Sequence, residues 1–188
     1  MTNVIQYITI ASTGNAQDFG DLLSSNRAFC GTSSATRGLF MGHGDSGTLN
    51  RIQYITIAST GDATDFGNLT TGRYNQAAAS SSTRALCGGG RNAGTYYNII
   101  DYVTIASTGN ATDFGDLVTY KMDHGAASNK TLAVFAGGRG NAAGNSAPTI
   151  VSIDSVAIAT TGNASDFGDL NNSDNYGNSG LSNAHGGL

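Results

Sequence analysis

Short apolar runs alternate with polar turns along the whole chain, and one pattern occurs four times. Its clearest copy spans residues 54–69, where β-branched residues precede a Ser-Thr-Gly turn and an Asp-Phe-Gly segment. The other copies span residues 7–22, 102–117 and 155–170. β-Branched and aromatic residues bounded by glycine turns favour strands over helices. A block that recurs about every 50 residues indicates a repeat architecture.

Each repeat is predicted to hold four short strands. The signature supplies the third and fourth, which in the first copy are residues 6–11 and 18–22. Between copies lie a run of small residues at 73–79 and an apolar run at 83–89 that ends in glycines. Continuous apolarity over four or five residues suits a strand covered on both faces.

The four-strand pattern resembles the kelch repeat, a family whose units form the blades of β-propellers. A kelch unit has an arginine strand, an apolar strand ending in Gly-Gly, a tyrosine strand and a Trp-x-x-Leu strand. The matching residues are Arg27 and Arg73; Gly88, Gly89, Gly137 and Gly138; Tyr7, Tyr54 and Tyr102; and, in the last strand, Phe19, Leu22, Phe66, Leu69, Phe114, Leu117, Phe167 and Leu170. The chain departs from the family at Lys121 and Ser155, and it has no tryptophan.

The resemblance implies an all-β fold: a kelch-like β-propeller of about four four-stranded blades. The N-terminus supplies a third and a fourth strand, and the tail aligns with a first strand, Tyr176 matching Tyr74. Pairing of the N- and C-terminal strands would close the ring and remove exposed sheet edges. We expect one domain, 1–188, with units at approximately 1–26, 27–72, 73–120 and 121–172 and a closing segment at 173–188.

Three alternatives to a self-closed ring stay open at the level of sequence. In the first alternative, the four blades close imperfectly, because the Gly-Gly end of a second strand is missing after Leu188. The open ends pair with another subunit, since repeat units need closure or capping. The repeats build a β-prism or a fibre-like trimer instead of a propeller.

Composition narrows the class of partner. The net charge is −4 and only 12% of residues are charged, with no basic stripe, so we expect no nucleic acid partner. No apolar run approaches the roughly 18 residues of a spanning helix, so we expect no membrane insertion. The first residues lack a positive region and an apolar region, so we expect no secretory signal peptide.

Two short motifs resemble catalytic signatures. Residues 65–67 spell the Asp-Phe-Gly of protein kinases, but the triplet recurs in every copy without the accompanying lysine and catalytic loop. Residues 44–47 resemble the nucleophile segment of trypsin-like proteases, but nothing places a His–Asp pair beside them. Copper chemistry of the galactose oxidase kind needs converging Tyr, His and Cys residues, which do not repeat together here. We therefore predict architectural motifs and no enzyme activity.

Other polar residues are also predicted to be structural, with no metal or cofactor. Carboxylates recur three residues apart and are expected to cap turns, with Ca²⁺ binding as the alternative. The histidines fall at non-equivalent places, and the cysteines are predicted to be buried thiols. These residues are Asp18 and Asp21, Asp113 and Asp116, Asp166 and Asp169; His43, His124 and His185; and Cys30 and Cys87.

Three glycine-rich loops vary while the strands around them barely change. They span residues 42–50, 90–98 and 138–149. Variation within repeats maps to loops on one face, often the binding face. Their arginines, asparagines and tyrosines suit sugars or protein surfaces, although solvated linkers without a ligand are the alternative. The candidate ligand-binding residues are Arg91, Asn92, Tyr96, Tyr97, His43, Asp45, Arg139 and Asn141.

The near-identical copies are similar to tandem repeats in predicted structural proteins of marine phages, including cyanophages. The resemblance implies a non-enzymatic virion component, a tail or neck appendage or decoration, whose partners are other virion proteins and copies of itself. Such proteins are made in the host cytoplasm and released by lysis, so localisation in the virion needs no export signal. The alternative is a carbohydrate- or receptor-binding adhesin module that holds a host glycan or receptor in the variable loops.

Overall fold

The computed structural model describes residues 2–44, 50–140, 148–172, 176–177 and 179–180, and every regular element in these ranges is a β-strand. The predicted all-β class is therefore confirmed. The strands are β1 Val4–Tyr7, β2 Gln17–Asp21, β3 Cys30–Ser33, β4 Arg37–Met41, β5 Arg51–Thr56, β6 Thr64–Asn68, β7 Ala77–Ser80, β8 Arg84–Gly88, β9 Arg91–Asn92, β10 Thr95–Tyr96, β11 Ile99–Thr104, β12 Thr112–Asp116, β13 Lys121–Met122, β14 Gly125–Ser128, β15 Leu132–Ala136, β16 Arg139–Gly140, β17 Ser152–Ala157 and β18 Ser165–Asp169.

Three four-stranded antiparallel sheets form the body of the protein. The first sheet has the order β3-β4-β5-β6, the second β7-β8-β11-β12 and the third β14-β15-β17-β18. Strands β1 and β2 form a two-stranded N-terminal sheet with the register of the last two strands of a complete sheet. The pairs β9–β10 and β13–β16 are small additions. Four strands per unit, as predicted, are confirmed for the three complete sheets.

The third and fourth strands of each unit share a β-bulge at the signature phenylalanine. In the first sheet Ile52 pairs with Gly67 and Gln53 pairs with Asp65, so Phe66 has no partner across the ladder. The bulge leaves the Phe66 ring in the core, 3% exposed and edge-on to Tyr54 at a centroid distance of 5.8 Å. The same register shift recurs in the other three copies of the signature.

The sheets stack face to face, and successive residues of one strand serve two different cores. In β8, Ala85 and Cys87 lie in the core between the first and second sheets, whereas Leu86 lies in the core between the second and third. Alternation of this kind is the geometry of a strand covered on both faces. The apolar run at 83–89 is therefore a doubly covered strand, as its pattern predicted.

The first strands of successive sheets are joined by serine side chains. Ser80 Oγ donates to the Ser33 carbonyl at 2.8 Å, and Ser128 Oγ donates to the Ser80 carbonyl at 2.7 Å. These hydrogen bonds satisfy polar groups that the stacking would otherwise bury without partners. The first strands therefore lie side by side from sheet to sheet.

A backbone ladder runs along the starts of the first strands. The Asn75 amide donates to Ala28 at 2.9 Å, Asp123 to Asn75 at 3.0 Å and Gly177 to Asp123 at 2.7 Å. All four residues have positive φ, between 53° and 74°. Gly177 continues the ladder, so the described part of the tail lies on the third sheet where a further first strand would begin.

The signature also joins each sheet to the one before it, through its turn. The amides of Gly61 and Ala63, in the signature turn of the first sheet, donate to the carbonyls of Phe19 and Asp21 at 2.7 and 2.8 Å. The Asp21 amide in return donates to the Asp62 carboxylate at 2.9 Å. The same three bonds recur at the next two junctions, where an asparagine replaces Asp62. A junction therefore consists of one signature turn and the preceding unit's fourth strand.

Each junction requires two glycines in contact. A Cβ on Gly67 would lie 2.3 Å from the Gly109 carbonyl oxygen, and a Cβ on Gly20 would lie 2.4 Å from that of Gly61. A side chain does not fit at such distances, and Gly67 also has φ of +144°. The Asp-Phe-Gly triplet thus has a defined place in the architecture, as its repetition predicted.

The two ends of the stack expose residues that the internal junctions cover. Phe167 is 59% exposed, whereas its equivalent Phe66 is 3% exposed. At the other end Ile10 is 95% exposed, whereas its equivalent Ile105 is 1% exposed. The described residues show no contact between the N-terminal signature turn and the third sheet, and closure of the ring stays a prediction.

The structure moves several strand boundaries from their predicted places, of which β5 and β7 are examples. Strand β5 begins at Arg51 and ends at Thr56, two residues earlier than the predicted range 53–58. Strand β7 begins at Ala77 instead of residue 73, because Arg73 turns beneath the sheet and binds the Gly89 carbonyl through its Nε at 2.8 Å.

The kelch-like match at Arg27 is wrong by one residue. The first-unit residue that takes the place of Arg73 is Asn26, whose Nδ2 donates to Gly42 as Arg73 donates to Gly89. Arg27 itself is exposed and donates to the carbonyl of Gly44 at 2.9 Å. The long side chain of Arg27 stays at the solvent side of the loop, and the shorter amide occupies the buried place.

Candidate functional site

Antiparallel pairing places the variable loops on one side of every sheet. Second strands end where these loops begin, and fourth strands end beside them, whereas the signature turns lie at the opposite side. We call the loop-bearing side the loop face. Its described residues are 24–29, 43–44, 71–76, 89–98, 119–124, 137–140, 148–150 and 176–177.

Arg91 lies between two tyrosines on the loop face. It pairs with Tyr96 in the β9–β10 hairpin and forms an isolated bridge with Tyr74. Its guanidinium carbon is 5.6 Å from the Tyr74 ring centroid and 5.9 Å from that of Tyr96. Both distances are within the range of cation–π attraction. Backbone pairing therefore holds a cation between two aromatic rings.

Arg139 forms a second group of the same kind. Its Nε donates to the Asp123 carboxylate at 3.2 Å, and its guanidinium carbon is 4.8 Å from the Tyr176 ring centroid. The hydrogen bond to Asp123 raises the pKa of Arg139, and the nearby Tyr96 and Tyr176 add to this effect. The side chain remains 38% exposed, so the cation is open to solvent and to a ligand.

These two groups form one surface, the arginine–tyrosine row, which consists of Tyr74, Arg91, Tyr96, Arg139 and Tyr176. It crosses the second and third units and reaches the described tail. Arginine offers fixed hydrogen-bond donors, and tyrosine offers a flat apolar ring with a polar tip. Because arginine stays protonated, this surface is suited to binding and orienting a ligand and not to proton transfer.

The other predicted binding residues mostly support the loops. His43 is 5% exposed and its Nε2 is 3.1 Å from the Ser25 carbonyl oxygen. Asn92 Nδ2 donates to the Gly72 carbonyl at 3.1 Å, and Tyr97 is half-buried beside the row. The structure thus brings together Arg91, Tyr96 and Arg139, whereas His43 is buried in the loop of the first unit beside Ser25. The predicted residues Asp45 and Asn141 lie outside the described residues.

Sequence reasoning missed three residues of this surface. Tyr74 was assigned to a first strand, Tyr176 to a closing segment, and Asp123 to no site. The match of Tyr176 to Tyr74 was a usable signal, since equivalent positions in a repeat lie on the same face. No repeat position or motif in the sequence marked Asp123, the carboxylate that orients Arg139.

Beneath the loop face, the second and third sheets each bury one ion pair. Arg73 Nη1 lies 2.9 Å from Asp101 Oδ2, and Lys121 Nζ lies 3.1 Å from Asp154 Oδ2, with no side-chain exposure in either pair. Burial lowers the pKa of Lys121, and Asp154 opposes that shift. Breaking such a pair leaves an uncompensated buried charge, which is strongly destabilising.

The first sheet has a neutral version of the same pair. Asn26 takes the place of the cation and Gln53 that of the carboxylate. The Leu23 amide donates to Gln53 Oε1 at 2.9 Å, as the Thr70 amide donates to Asp101 Oδ2 at 3.1 Å. Both positions change together between sheets, and the bond from the connecting amide to Gln53 or Asp101 is kept, so that residue fastens the connection to its sheet.

His124 is the most perturbed titratable group below the loop face. It is 4% exposed, and burial, with a contribution from the Lys121 ammonium, lowers its pKa to about 3. Its ring centroid lies 5.9 Å from that of Phe135. The equivalent residues in the other units are Phe29 and Gln76. His124 is thus a neutral packing residue at physiological pH.

The cysteines are free and buried, as predicted. Cys30 and Cys87 both lie in the core between the first and second sheets, with the Sγ atoms 3.6 Å apart. Burial raises the pKa of the Cys30 thiol well above its ordinary value, which disfavours the reactive thiolate.

Two of the repeated carboxylates accept hydrogen bonds within the bulge of the fourth strand and not in a turn. Asp113 Oδ1 accepts from the Gly115 amide and Asp166 Oδ1 from the Gly168 amide, both at 3.2 Å. Within the described ranges, no three His, Cys, Asp or Glu side chains lie close enough together to hold a metal ion. His185 lies outside those ranges.

Comparison with known proteins returns no matching family model and no matching curated protein. Over the residues that the structure describes, no helix is long and apolar enough to cross a membrane.

Proposed function

We propose that this protein is a non-enzymatic structural component of a bacteriophage particle, a tail or neck appendage or decoration present in the virion. The observation that carries the proposal is the use of the signature. At three successive junctions, the signature turn of one unit and the fourth strand of the preceding unit form the same hydrogen bonds between sheets. A motif that is repeated in order to join sheets supports a structural role for the protein. The resemblance to phage repeats supports the location of the protein in a phage particle.

We also propose that the sheets are blades of a kelch-like β-propeller with about four blades per chain, the last of which is completed by the tail and an N-terminal sheet. The up-and-down order within each sheet and the contacts between first strands support this arrangement. Electron cryomicroscopy of the purified protein tests it. A ring of blades around an axis is the expected result, and an extended stack of sheets would contradict it.

Composition of purified particles tests the role in the virion. Particles from the phage that carries this gene would be banded by density and analysed by quantitative mass spectrometry. We expect the chain in the particle fraction in a fixed ratio to the capsid protein, and immunogold labelling at one place on the particle. A chain found in the cleared lysate and absent from intact particles would contradict the proposal.

The arginine–tyrosine row favours a second candidate function, an adhesin module that binds a host glycan or receptor. Arginine and tyrosine are residues that frequently dominate binding energy at interfaces. Here they stand on the variable face, and Arg139 keeps 38% of its side chain exposed. The row lies away from the junctions, so binding there is compatible with a structural role.

Binding to a glycan array and to host cells tests this candidate. The double variant Arg91→Ala/Tyr96→Ala should lose about tenfold or more in affinity, since it removes one cation and one ring. The matched control is Lys130→Ala, which removes a cation in the turn between β14 and β15, on the side opposite the loop face. Absence of any binding by the unaltered protein, or equal binding by the double variant, would contradict this function.

A further inference from the structure

The signature contains both halves of a junction, and each end of the stack leaves one half unused. The turn at 12–16 is equivalent to the turns that bind a preceding sheet, and the fourth strand β18 is equivalent to the strands that receive them. A Cβ on Gly168 would meet no atom within 4 Å, whereas one on Gly67 would collide with the next turn. The two unused halves are complementary because the internal junctions are made from the same motifs.

We propose that the N-terminal sheet of one copy docks head to tail on the third sheet of a second copy of this chain, and so repeats the internal junction between molecules. The partner is thereby a second copy. This inference goes beyond the proposed function, since it rests on contacts within the chain and holds for a virion protein or an adhesin alike.

Three hydrogen bonds of the docked pair follow from the internal junctions. The Gly14 amide of one copy donates to the Phe167 carbonyl of the other, and the Ala16 amide donates to the Asp169 carbonyl. The Asp169 amide donates to the Asn15 side chain. Their internal counterparts at the last junction measure 2.7, 2.7 and 3.0 Å. The residue types match, since Asn163 holds the place of Asn15 in that junction.

The exposed apolar residues at the two ends also complement each other. Internally, Phe114 packs in one core with Val156 and Ile158 of the next sheet. The equivalent residues at the ends are Phe167 on one side and Ile8 and Ile10 on the other. These three are 59%, 62% and 95% exposed, whereas Phe114, Val156 and Ile158 at the last junction are 2%, 5% and 1% exposed, so docking removes a large apolar surface from water.

The described tail makes the two ends structurally complementary as well. Gly177 donates to Asp123, and a Cβ on Gly180 would lie 2.0 Å from the Ala126 carbonyl, so this backbone lies at the place of a first strand on the third sheet. The N-terminal sheet holds only a third and a fourth strand. A docked N-terminal sheet and this tail therefore belong to the same incomplete unit and do not compete for space.

A head-to-tail contact uses different surfaces on the two partners, so it closes into a ring or continues as a filament according to its rotation. Docking of the N-terminal sheet on the third sheet of its own chain would use the same residues. The two cases differ in mass: self-closure leaves a monomer, and docking between copies does not.

Sedimentation equilibrium and mass photometry of the purified chain and three variants distinguish them. Ile10→Asp charges the N-terminal face and Phe167→Asp charges the third-sheet face. Tyr120→Asp is the control, because Tyr120 is 53% exposed on the loop face and belongs to neither end. All three side chains are exposed, so circular dichroism should show native folding in every variant.

We expect the unaltered chain and Tyr120→Asp to sediment above the monomer mass. Ile10→Asp and Phe167→Asp should each be monomeric at the same concentration, with dissociation constants raised at least about 100-fold by a buried unpaired charge. An equimolar mixture of these two variants should form a dimer and nothing larger, since only one competent junction remains between them.

Several outcomes would overturn the proposal. A monomeric unaltered chain across the micromolar range would do so, whether its ends stay open or close on themselves. An oligomer that persists in both end variants would assign association to another surface, and so would a mixture that stays monomeric. The particle-composition experiment is independent of these results, so either proposal can fail without the other.

Discussion

Substitution of the signature glycine tests the junction most directly, because the chain supplies its own control. Gly67 and Gly168 have the same backbone conformation, with φ of +144° and +143°. A Cβ on Gly67 would lie 2.3 Å from the Gly109 carbonyl oxygen, whereas a Cβ on Gly168 meets nothing within 4 Å. Gly67→Ala and Gly168→Ala therefore differ in the contact between sheets and not in backbone strain.

The expected difference can be worked out from three contributions. Positive φ costs both variants about 1–3 kcal/mol, which cancels in the comparison. Relief of the collision at Gly109 requires movement of one sheet, and overpacking of this kind costs about 1–3 kcal/mol. That movement weakens the hydrogen bonds from Gly109 to Phe66 and from Ala111 to Asn68, each with a net value of about 1 kcal/mol. Gly67→Ala should be less stable than Gly168→Ala by about 2–5 kcal/mol.

Urea denaturation followed by circular dichroism measures this difference, in the Ile10→Asp background so that self-association does not contribute. For a chain of this size the gap corresponds to about 4–20 °C in melting temperature by calorimetry. Since repeat units contact only their neighbours, hydrogen exchange at the Gly109 and Ala111 amides adds a local measurement. Faster exchange at these amides is expected in Gly67→Ala only.

Equal losses in the two variants would refute the reasoning. They would mean that the backbone conformation alone requires glycine and that the sheets adjust to a side chain at no cost. A loss in Gly67→Ala without faster exchange at Gly109 would also refute it, since the collision should act first on that turn.

Three further predictions concern the core. Phe66→Ala should lower the free energy of unfolding by about 3–5 kcal/mol in the same urea assay, because its ring is only 3% exposed. Phe167→Ala should change it by less than about 0.5 kcal/mol, because that ring is 59% exposed. Similar losses in the two variants would contradict this difference in burial. The folded-state pKa of His124, about 3, lies below the ordinary 6.5, so the stability it contributes is present above pH 6.5 and lost as the pH falls towards 3. At pH 5 that loss of stability is about 2 kcal/mol. The variant His124→Gln has no titrating group at this position and should not show the loss. Urea denaturation of both proteins at pH 7 and pH 5 measures it, and an equal change in the two proteins would contradict the prediction. Asp101→Asn should cost about 3–5 kcal/mol because Arg73 loses its carboxylate partner in a fully buried place. Replacement of both residues by the neutral asparagine–glutamine pair of the first sheet should recover most of that loss in calorimetry, and no recovery would show that the two positions are not equivalent.

Much of the fold could be predicted because the same strand and turn pattern occurs four times in the sequence. The run at 83–89 holds consecutive apolar residues from Ala85 to Cys87, which is the pattern of a strand between two cores, and β8 is such a strand. Phe66 and Leu69 recur at a fixed spacing, and both are buried in the first core. Local chemistry determines these features, so they follow from one copy of the repeat.

Contacts between distant units were harder to predict. The burial of Arg73 against Asp101 joins a residue that precedes β7 to one in β11, and neither local sequence pattern predicts a buried charge. The same holds for Arg139, which meets Tyr176 from the tail. The loops were correctly singled out as the variable side, but the pairing partners within them depend on how the units stack.

The buried ion pairs disfavour the exchange of strands between near-identical units while the chain folds. A segment carrying Arg73 that added to the sheet containing Gln53 would place a guanidinium in a dry site without a carboxylate, which is costly. The uncharged residues thus distinguish the first sheet from the other two, and assortments that place a charged segment on the first sheet are penalised even though the strands look alike. We expect a variant that carries the same pair in all three sheets to keep native stability but to refold in lower yield after denaturation, and an unchanged yield would show that the strands sort without this difference in charge.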